Sequence, residues 1–496
     1  MRPSWIHLAV SVALLALVVS TLAVVVVMDG KERGSEHPPH LAEAEIDPAE
    51  ELERLHDGGP SGEGATGEPL PAGSLTGEGV AVGVIDVTAF DGDDPRIADR
   101  VVTTRTFEAG DHRERQRPDG HGTAAAAVVA RTAPDASLYL ATVDGSSGFE
   151  DAMAWMREKD VDVVVAPVSF YGTPTDGSDP AARAADRAVQ DGTVVVAPTG
   201  NLGQRTWSGR FLPDGEGAHR FAEDHRNALV GDARTVQLWL TTPGEPDVEA
   251  FAVELYREDD PADELVARSE PFGGDPHPNQ RLVTSVDPDA SYYVVVRGPT
   301  GATGTPLRVA SPTHRFVASE RAGSLTSPGT APGVLTVGAF DDRLDRVEPY
   351  SAAGPIADDR RGTDLVAPDG VETGAGGFVG TSASAAYTGG VVALTLEADP
   401  DLEPEDVRQT LTSTAADVPA HDTDPVAGHG RIDPVAAVSQ AANASVEADD
   451  RDRNSTDHVG RPVVVQHPGH GSDVRPSHGT PGARPSPSRT RSPTGR

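Results

Sequence analysis

Two absences in the sequence limit what the protein can be. There is no cysteine, which excludes disulfide bonds, thiolate zinc sites and a cysteine nucleophile and leaves the redox compartment open. Stability must therefore come from burial of apolar surface, and a chain of 496 residues is long enough for that. Lysine is almost absent, because Lys31 and Lys159 are the only two, so arginine supplies nearly all of the 41 basic side chains.

The charge balance is strongly acidic. The chain has 77 aspartates and glutamates and a net charge of −36, which argues against a nucleic-acid partner, since phosphates need a basic footprint. A dense carboxylate surface repels itself in dilute buffer and is screened at molar salt. An acidic, lysine-poor surface resembles that of proteins from extremely halophilic archaea. The shortage of lysine favours this interpretation over that of an ordinary acidic protein.

Residues 1–29 hold the one long hydrophobic run of the sequence. Residues 5–28 carry no ionisable side chain apart from His7, and a run of this length can span a bilayer. No A-x-A cleavage site follows it, so we expect a transmembrane anchor, with a cleaved signal peptide as the alternative. Arg2 on the inner flank puts the rest of the chain outside the cell, on the membrane or secreted, although basic residues on the other flank weaken this orientation. An intact N-terminus in the membrane fraction would favour the anchor.

Polar segments flank the main body of the chain. Residues 30–78 are acidic and rich in Gly, Pro and Glu, which predicts a linker with at most a short helix over Pro48–Leu55. Residues 443–496 are rich in Pro, Ser and Arg and have no hydrophobic periodicity, which predicts a disordered tail.

Residues 79–204 and 323–442 alternate between apolar runs and helical stretches. This alternation predicts an α/β domain with a doubly wound, mainly parallel sheet that is covered by helices on both faces. In such sheets the active site lies at the carboxyl ends of the strands. The expected strands are Val80–Ile85, Ser137–Val143, Val161–Val168, Thr193–Ala197, Gly333–Ala339 and Asp364–Pro368, and the expected helices are Thr123–Arg131, Phe149–Lys159, Ala181–Gln190 and Glu403–Ala415.

Residues 205–322 have a different pattern. Strand-like runs at Val236–Leu240, Phe251–Tyr256 and Tyr292–Val296 are separated by short turns rich in Gly, Pro and Asp. This pattern predicts an antiparallel β-sandwich or jelly roll. Because the α/β pattern returns afterwards, the β module is expected to be an insertion in one larger domain. Packing against that domain is its expected role, and substrate selection or partner docking are the alternatives.

Three polar residues lie where predicted strands and helices begin or end. Asp86 ends the first strand, His121 stands where a loop becomes a helix, and Ser382 opens a helix of small residues. A serine hydroxyl is a weak nucleophile that needs a base beside it and a third group to orient that base. Individually, each residue has an ordinary structural explanation, such as a helix cap or a turn. Together, in the order Asp, His, Ser, they match one known chain order of a Ser-His-Asp triad.

The motifs around these residues resemble those of the subtilisin-like serine peptidases, the subtilase family. The segment that ends in Asn201 also resembles the family's strand that leads to the oxyanion-binding asparagine. The resemblance covers about residues 79–205 and 322–440. The segments that carry it are Val84-Ile85-Asp86, Asp119-Gly120-His121-Gly122-Thr123, Val194-Val195-Val196-Ala197-Pro198-Thr199-Gly200-Asn201 and Gly380-Thr381-Ser382.

The resemblance implies a serine endopeptidase that cuts protein or peptide substrates through an acyl-enzyme and requires no cofactor. Ser382 would be the nucleophile, and His121 would take its proton and later pass it to the leaving amine. Asp86 would orient the imidazole, and Asn201 would donate to the oxyanion. Members of the family often bind calcium, so calcium binding is an open alternative here. The carboxylates are too numerous for ligands to be assigned, and no metal-binding residue is predicted.

Two segments depart from the family pattern. Val87 and Thr88 follow Asp86 where Ser or Thr and then Gly are usual, so a hydrogen bond to the aspartate is either missing or supplied by Thr88. Ser169, Phe170 and Tyr171 stand where Ser-x-Gly is usual at the substrate-binding edge, and Tyr171 would narrow that cleft. The alternative function is therefore a catalytically impaired subtilase-fold protein that uses the β insertion for binding.

We predict that the fold depends on salt. At molar salt the circular dichroism spectrum should be that of a folded α/β protein, and at low ionic strength it should show unfolding, because repulsion between carboxylates is then unscreened. A folded spectrum in salt-free buffer would count against the halophilic interpretation.

Overall fold

The computed structural model describes residues 52–53, 55–56, 74–107, 120–222, 224–243, 248–259, 262–272, 279–356, 360–373, 376–418 and 425–457, with side chains up to residue 445. The predicted anchor at residues 5–28 lies outside this part, as does most of the predicted linker. None of the helices that are described is both long enough and apolar enough to cross a bilayer.

The described residues form one large sheet, two smaller sheets, a short hairpin and several helices. In chain order the strands are β1 (Ala81–Asp86), β2 (Val101–Phe107), β3 (Ser137–Val143), β4 (Val163–Val165), β5 (Val194–Pro198), β6 (Thr206–Arg210), β7 (Asn227–Val230), β8 (Thr235–Thr241), β9 (Ala252–Arg257), β10 (Glu264–Arg268), β11 (Glu270–Pro271), β12 (Gln280–Ser285), β13 (Tyr292–Arg297), β14 (Pro306–Ala310), β15 (Arg315–Phe316), β16 (Leu335–Asp341), β17 (Arg346–Val347), β18 (Leu365–Pro368), β19 (Val371–Glu372) and β20 (Gly377–Phe378). The helices are α1 (His121–Thr132), α2 (Ser146–Glu158), α3 (Pro180–Gln190), α4 (Thr381–Ala398), α5 (Pro404–Ser413) and α6 (Pro434–Asp457), and Thr300–Ala302 forms a 3₁₀ turn.

The main sheet has eight strands in the order β17-β16-β5-β4-β1-β3-β2, with β18 also paired to β16. All of its pairings are parallel except that between β16 and β17. Valine-rich strands of this kind are typical of a sheet that is buried on both faces. The predicted strand at Val161–Val168 is shorter in the structure, and β2 was not predicted, because its threonines and arginine give it a largely exposed, polar pattern.

Helices cover both faces of this sheet. Val82 and Val84 of β1 belong to the core that contains residues of α1 and α4, whereas Ile85 belongs to the core that contains residues of α2 and α3. Successive strand residues point to opposite faces, so β1 contributes to both cores. The fold is therefore the expected doubly wound, subtilisin-like α/β structure.

Helix α4 is buried along most of its length because it is built from small and apolar residues. A Cβ atom on Gly389 would lie 2.1 Å from Val165, and one on Gly390 would lie 2.4 Å from Thr132. The two glycines thus allow α4 to touch β4 and α1 directly. This close packing determines where the first turn of α4 lies relative to the ends of the strands.

The chain leaves the main sheet after β5 and returns at β16, which pairs with β5 itself. Between them lies a module of two five-stranded sheets, β10-β9-β13-β7-β15 and β11-β12-β8-β14-β6, whose pairings are all antiparallel. Residues of both sheets share one apolar core, which includes Trp207, Leu238 and Val294. This arrangement is an antiparallel β-sandwich.

The β module packs against the α/β part through buried polar and aromatic contacts. The guanidinium group of Arg308 donates to the backbone carbonyls of Ser324 and Leu325, both at 3.1 Å. The Asn279 amide donates to the carbonyl of Gly172 at 3.1 Å. A Cβ atom on Gly172 would lie 2.4 Å from the Trp239 ring, so the indole packs closely against the backbone there.

Both flanking segments contain helix where they are described, and residues 52–53 and 55–56 fall at the short helix predicted over Pro48–Leu55. Leu52 and Leu55 are buried in the core beside α1 and α4, because two leucines three residues apart share one face of a helical turn. Downstream, the Thr76 and Gly77 amides donate to the Glu397 carboxylate at 2.7 and 2.5 Å. At the other end, α6 continues to Asp457, beyond the predicted boundary at residue 443. Proline and glycine, which end helices, return only after Asp457.

His219 links the stability of the β module to pH. It is 3% exposed, its ring lies among Trp207, Phe211 and Phe221, and its Nδ1 accepts the Leu212 amide at 3.0 Å. Burial lowers the pKa of His219 from 6.5 to about 4. The folded state therefore binds this proton less readily than the unfolded state does. Its contribution to stability is complete above pH 6.5 and is lost as the pH falls towards 4.

We predict that the free energy of unfolding, measured in urea at molar salt, falls between pH 7 and pH 4 by about 2–3 kcal/mol more in the wild type than in His219→Asn. Asparagine retains an acceptor for the Leu212 amide but does not titrate. His225→Asn, which changes a half-buried histidine in the same module, should behave like the wild type. If the free energy of unfolding falls equally with pH in the wild type and in His219→Asn, His219 is not the source of the pH dependence.

Candidate active site

Asp86 and His121 meet where β1 ends and α1 begins. Nδ1 of His121 lies 2.7 Å from Oδ2 of Asp86. Asp86 is completely buried and His121 is 8% exposed. Because a carboxylate oxygen accepts, Nδ1 carries the proton of the neutral imidazole and Nε2 is left as the basic atom. The pair has the geometry of a base and the group that orients it.

Thr88 holds the other carboxylate oxygen of Asp86. The Thr88 backbone N–H and hydroxyl donate to Oδ1 at 2.8 and 2.7 Å. The same hydroxyl accepts the Gly122 amide at 2.8 Å. A Cβ atom on Gly122 would lie 3.0 Å from that of Asp86, so only glycine allows α1 to begin this close. Thr88 therefore supplies the hydrogen bond that the sequence left open.

The ring of Phe378, on β20, packs against the His121 ring. The two centroids lie 5.1 Å apart and the planes are inclined by 74°. An edge-to-face contact of this kind limits rotation of the imidazole. Phe378 thus supports the orientation that Asp86 sets from the other side.

Ser382 is in the first turn of α4 and is half-buried. Its hydroxyl donates to the carbonyl of Pro167 at 3.2 Å. Gly380, immediately before the helix, has φ of 118°, a conformation that favours glycine. The first turn of α4 contains no acidic side chain, so the positive end of the helix dipole is free to favour negative charge near the serine.

Asn201 follows β5 and is tied to the residue before Ser382. The Thr381 hydroxyl and backbone N–H donate to Oδ1 of Asn201 at 2.9 and 3.2 Å. With Oδ1 used as acceptor, Nδ2 remains as a donor. A Cβ atom on Gly380 would lie 3.2 Å from that Nδ2, so the donor lies beside the turn that carries Ser382. Such an amide can stabilise an oxyanion.

The three residues predicted at the substrate-binding edge have different environments. The Ser169 hydroxyl lies 2.9 Å from the Thr326 hydroxyl. Phe170 is buried in the core, where its ring lies 5.4 Å from that of Phe149, and its backbone N–H donates to the carbonyl of Ser327 at 2.9 Å. Tyr171 is half-buried against a small apolar cluster that includes Leu202.

The structure thus brings Asp86 into contact with His121, and Asn201 into contact with the turn that carries Ser382. Sequence reasoning missed the roles of Thr381, Pro167 and Phe378. Thr381 could have been found from its place beside the serine. The other two carry no sequence signal, because their proximity arises only from the tertiary fold.

Within the described residues, no three or more histidine, aspartate and glutamate side chains form a group that could hold a metal ion. Calcium also takes backbone and amide carbonyl oxygens as ligands, so this finding does not bear on calcium bound through such groups.

Comparison with protein families matches residues 77–225 and 307–473 to the subtilase family. The gap between the matched regions lies within the β module. Among solved structures, the CspB protease of Clostridium perfringens aligns with a TM-score of 0.53 and 18% identity, over 75% of this chain and 94% of that one. A protease of Pseudoalteromonas arctica aligns over 74% and 91% of the two chains with 17% identity, at a TM-score of 0.43. The first of these supports the fold.

We predict that Thr88→Val lowers kcat/KM by about 10- to 100-fold, because the Asp86 carboxylate loses the Thr88 hydroxyl and the start of α1 loses its acceptor. Thr88→Ser keeps the hydroxyl and should retain most of the activity. Peptide hydrolysis at molar salt measures both. Wild-type rates in Thr88→Val would show that the hydroxyl is dispensable.

Proposed function

The chain belongs to the subtilase family, and from this premise we propose that it is a serine endopeptidase that cuts peptide bonds through Asp86, His121 and Ser382. Membership of a family of serine peptidases supports hydrolysis of peptide or protein substrates. The observation that carries the finer assignment is the buried 2.7 Å hydrogen bond between Asp86 and His121, at the same sheet edge as the turn that bears Ser382.

In the proposed mechanism the Ser382 hydroxyl attacks the carbonyl carbon of the substrate. The hydroxyl leaves its contact with the Pro167 carbonyl, and Nε2 of His121 takes its proton. Asp86 stabilises the imidazolium that forms, and the imidazolium then protonates the leaving amine. A water molecule, activated by the same imidazole, releases the acyl group from Ser382.

The charge that develops on the substrate oxygen is stabilised by Nδ2 of Asn201 in this proposal. Thr381 holds the amide with its oxygen turned away and its nitrogen available. Donors fixed before the reaction contribute most, since no reorganisation is needed in the transition state. The first turn of α4 adds its own dipole to this site.

The substrate backbone is proposed to lie along the segment that ends at Ser169, because this segment includes the carbonyl that touches the nucleophile. Phe170 and Tyr171 would then support the edge from behind through packing. We also propose that the protein is halophilic and extracytoplasmic. Its acidic composition supports the first property, and the hydrophobic run at residues 5–28 supports the second.

We predict that a fluorophosphonate probe labels the protein at molar salt and that Ser382→Ala abolishes the labelling, because the probe reacts with an activated serine. Ser413→Ala, which changes a serine at the end of α5, should be labelled like the wild type. Asn201→Ala should lower kcat on a peptide substrate by roughly 100- to 1000-fold through the loss of one oxyanion donor.

A folded protein that is never labelled and cuts no peptide would reject the proposal. It would favour the alternative, a subtilase-fold protein that binds partners without catalysis. Circular dichroism of each variant establishes that the protein is folded before the rates are compared.

A further inference from the structure

The proposed site is divided between two pieces of chain that are far apart in sequence. Asn201 lies in a loop after β5, and Ser382 lies in the turn that opens α4. An oxyanion donor and a nucleophile must be held within about 0.5 Å of their productive geometry. The direct link between the two pieces is the pair of hydrogen bonds from Thr381 to Asn201. A second link, deeper in the fold, connects the same two pieces.

The Asn201 loop is anchored on both sides by the segment Tyr350–Ala352. The Gly203 amide donates to the carbonyl of Tyr350 at 2.8 Å, and the Ala352 amide donates to the carbonyl of Gly200 at 2.8 Å. The two bonds hold Gly200 and Gly203, which lie on either side of Asn201 in the sequence. The position of the Tyr350 backbone therefore sets the position of the loop.

The first turn of α4, which carries Ser382, is anchored on β18. The Ser384 hydroxyl donates to the carbonyl of Ala367 at 2.9 Å. Burial raises the pKa of Asp369, and the hydrogen bond from the Tyr350 hydroxyl lowers it in part. Asp369 lies two residues after Ala367, so its backbone continues from the residue that accepts the Ser384 hydroxyl.

The hydroxyl of Tyr350 joins the two anchors by donating to Oδ2 of Asp369. Asp369 is 6% exposed and Tyr350 is half-buried. Burial and the adjacent Asp369 charge raise the pKa of Tyr350, so the phenol stays protonated and remains a donor. A charge-assisted hydrogen bond in such surroundings is stronger than one in water.

We propose that Tyr350 and Asp369 are positioning residues that align Asn201 with Ser382. Tyr350 acts through the backbone of the Asn201 loop, and Asp369 acts through the adjoining end of β18, which holds the first turn of α4. In this proposal neither residue contacts the substrate. The inference rests on the proposed function for its kinetic consequence, but its structural consequence can be measured without turnover.

The kinetic test uses Tyr350→Phe, which removes only the hydroxyl. We expect kcat to fall about tenfold with KM changed less than twofold, since alignment acts on the transition state. Asp369→Asn keeps an acceptor for the Tyr350 hydroxyl, so its kcat should fall less than that of Tyr350→Phe. Tyr293→Phe is the matched control, because the Tyr293 hydroxyl also donates to a carboxylate, that of Asp263 at 2.8 Å in the β module. Its kcat should not change.

A double-mutant cycle separates alignment from general stability. In an Asn201→Ala background, Tyr350→Phe should lower kcat less than twofold, because the donor that it aligns is already gone. A tenfold loss that persists in this background would overturn the proposal. So would a kcat for Tyr350→Phe equal to that of Tyr293→Phe.

Hydrogen exchange provides the readout that does not depend on activity. Amides in the peptides that cover residues 199–203 and 380–384 should exchange faster in Tyr350→Phe than in Tyr293→Phe. If the wild type proves inactive, the proposed function fails while exchange still decides the alignment. Unchanged exchange in both peptides would overturn the inference.

Discussion

A buried carboxylate is the constraint on which the candidate site depends. Asp86 has no contact with solvent, and burial of a charged group is costly unless hydrogen bonds satisfy it. Thr88 satisfies one oxygen and His121 the other. Because Thr88 also accepts the Gly122 amide, the carboxylate can be satisfied only if α1 begins at this place. The need to solvate one charge thus fixes a strand end, a loop and a helix start together.

The position of Ser382 follows from packing rather than from charge. Helix α4 lies inside the domain, and the absence of side chains at Gly389 and Gly390 lets it touch β4 and α1. Protein interiors are close-packed, so a helix held in this way has little freedom to slide. The contact between α4 and α1 also relates the serine to the histidine, since each residue lies in the first turn of one of these helices.

The sequence was sufficient to predict the doubly wound sheet, because its valine-rich runs and intervening helices have clear periodicities. It also predicted that Asp86 lies at a strand end and that His121 and Ser382 lie at helix starts. It could not predict β2, whose side chains are mostly polar, or that Leu52 and Leu55 of an acidic segment are buried against the main domain. The contact between Tyr350 and Asp369 could not be predicted from the sequence for another reason. Neither residue belongs to a motif, and their segments meet because β17 and β18 both pair with β16.

The β insertion contacts loops at the edge of the main sheet where the candidate site lies. Trp239 packs closely against Gly172, and Asn279 donates to the carbonyl of Gly172. Gly172 directly follows the segment Ser169–Tyr171, so the module supports the backbone along which a substrate is proposed to lie. Arg308 adds a buried attachment at Ser324 and Leu325, close in sequence to Thr326, whose hydroxyl touches Ser169. The module is therefore attached directly at Gly172 and, through Ser324 and Leu325, next to a residue whose hydroxyl touches Ser169.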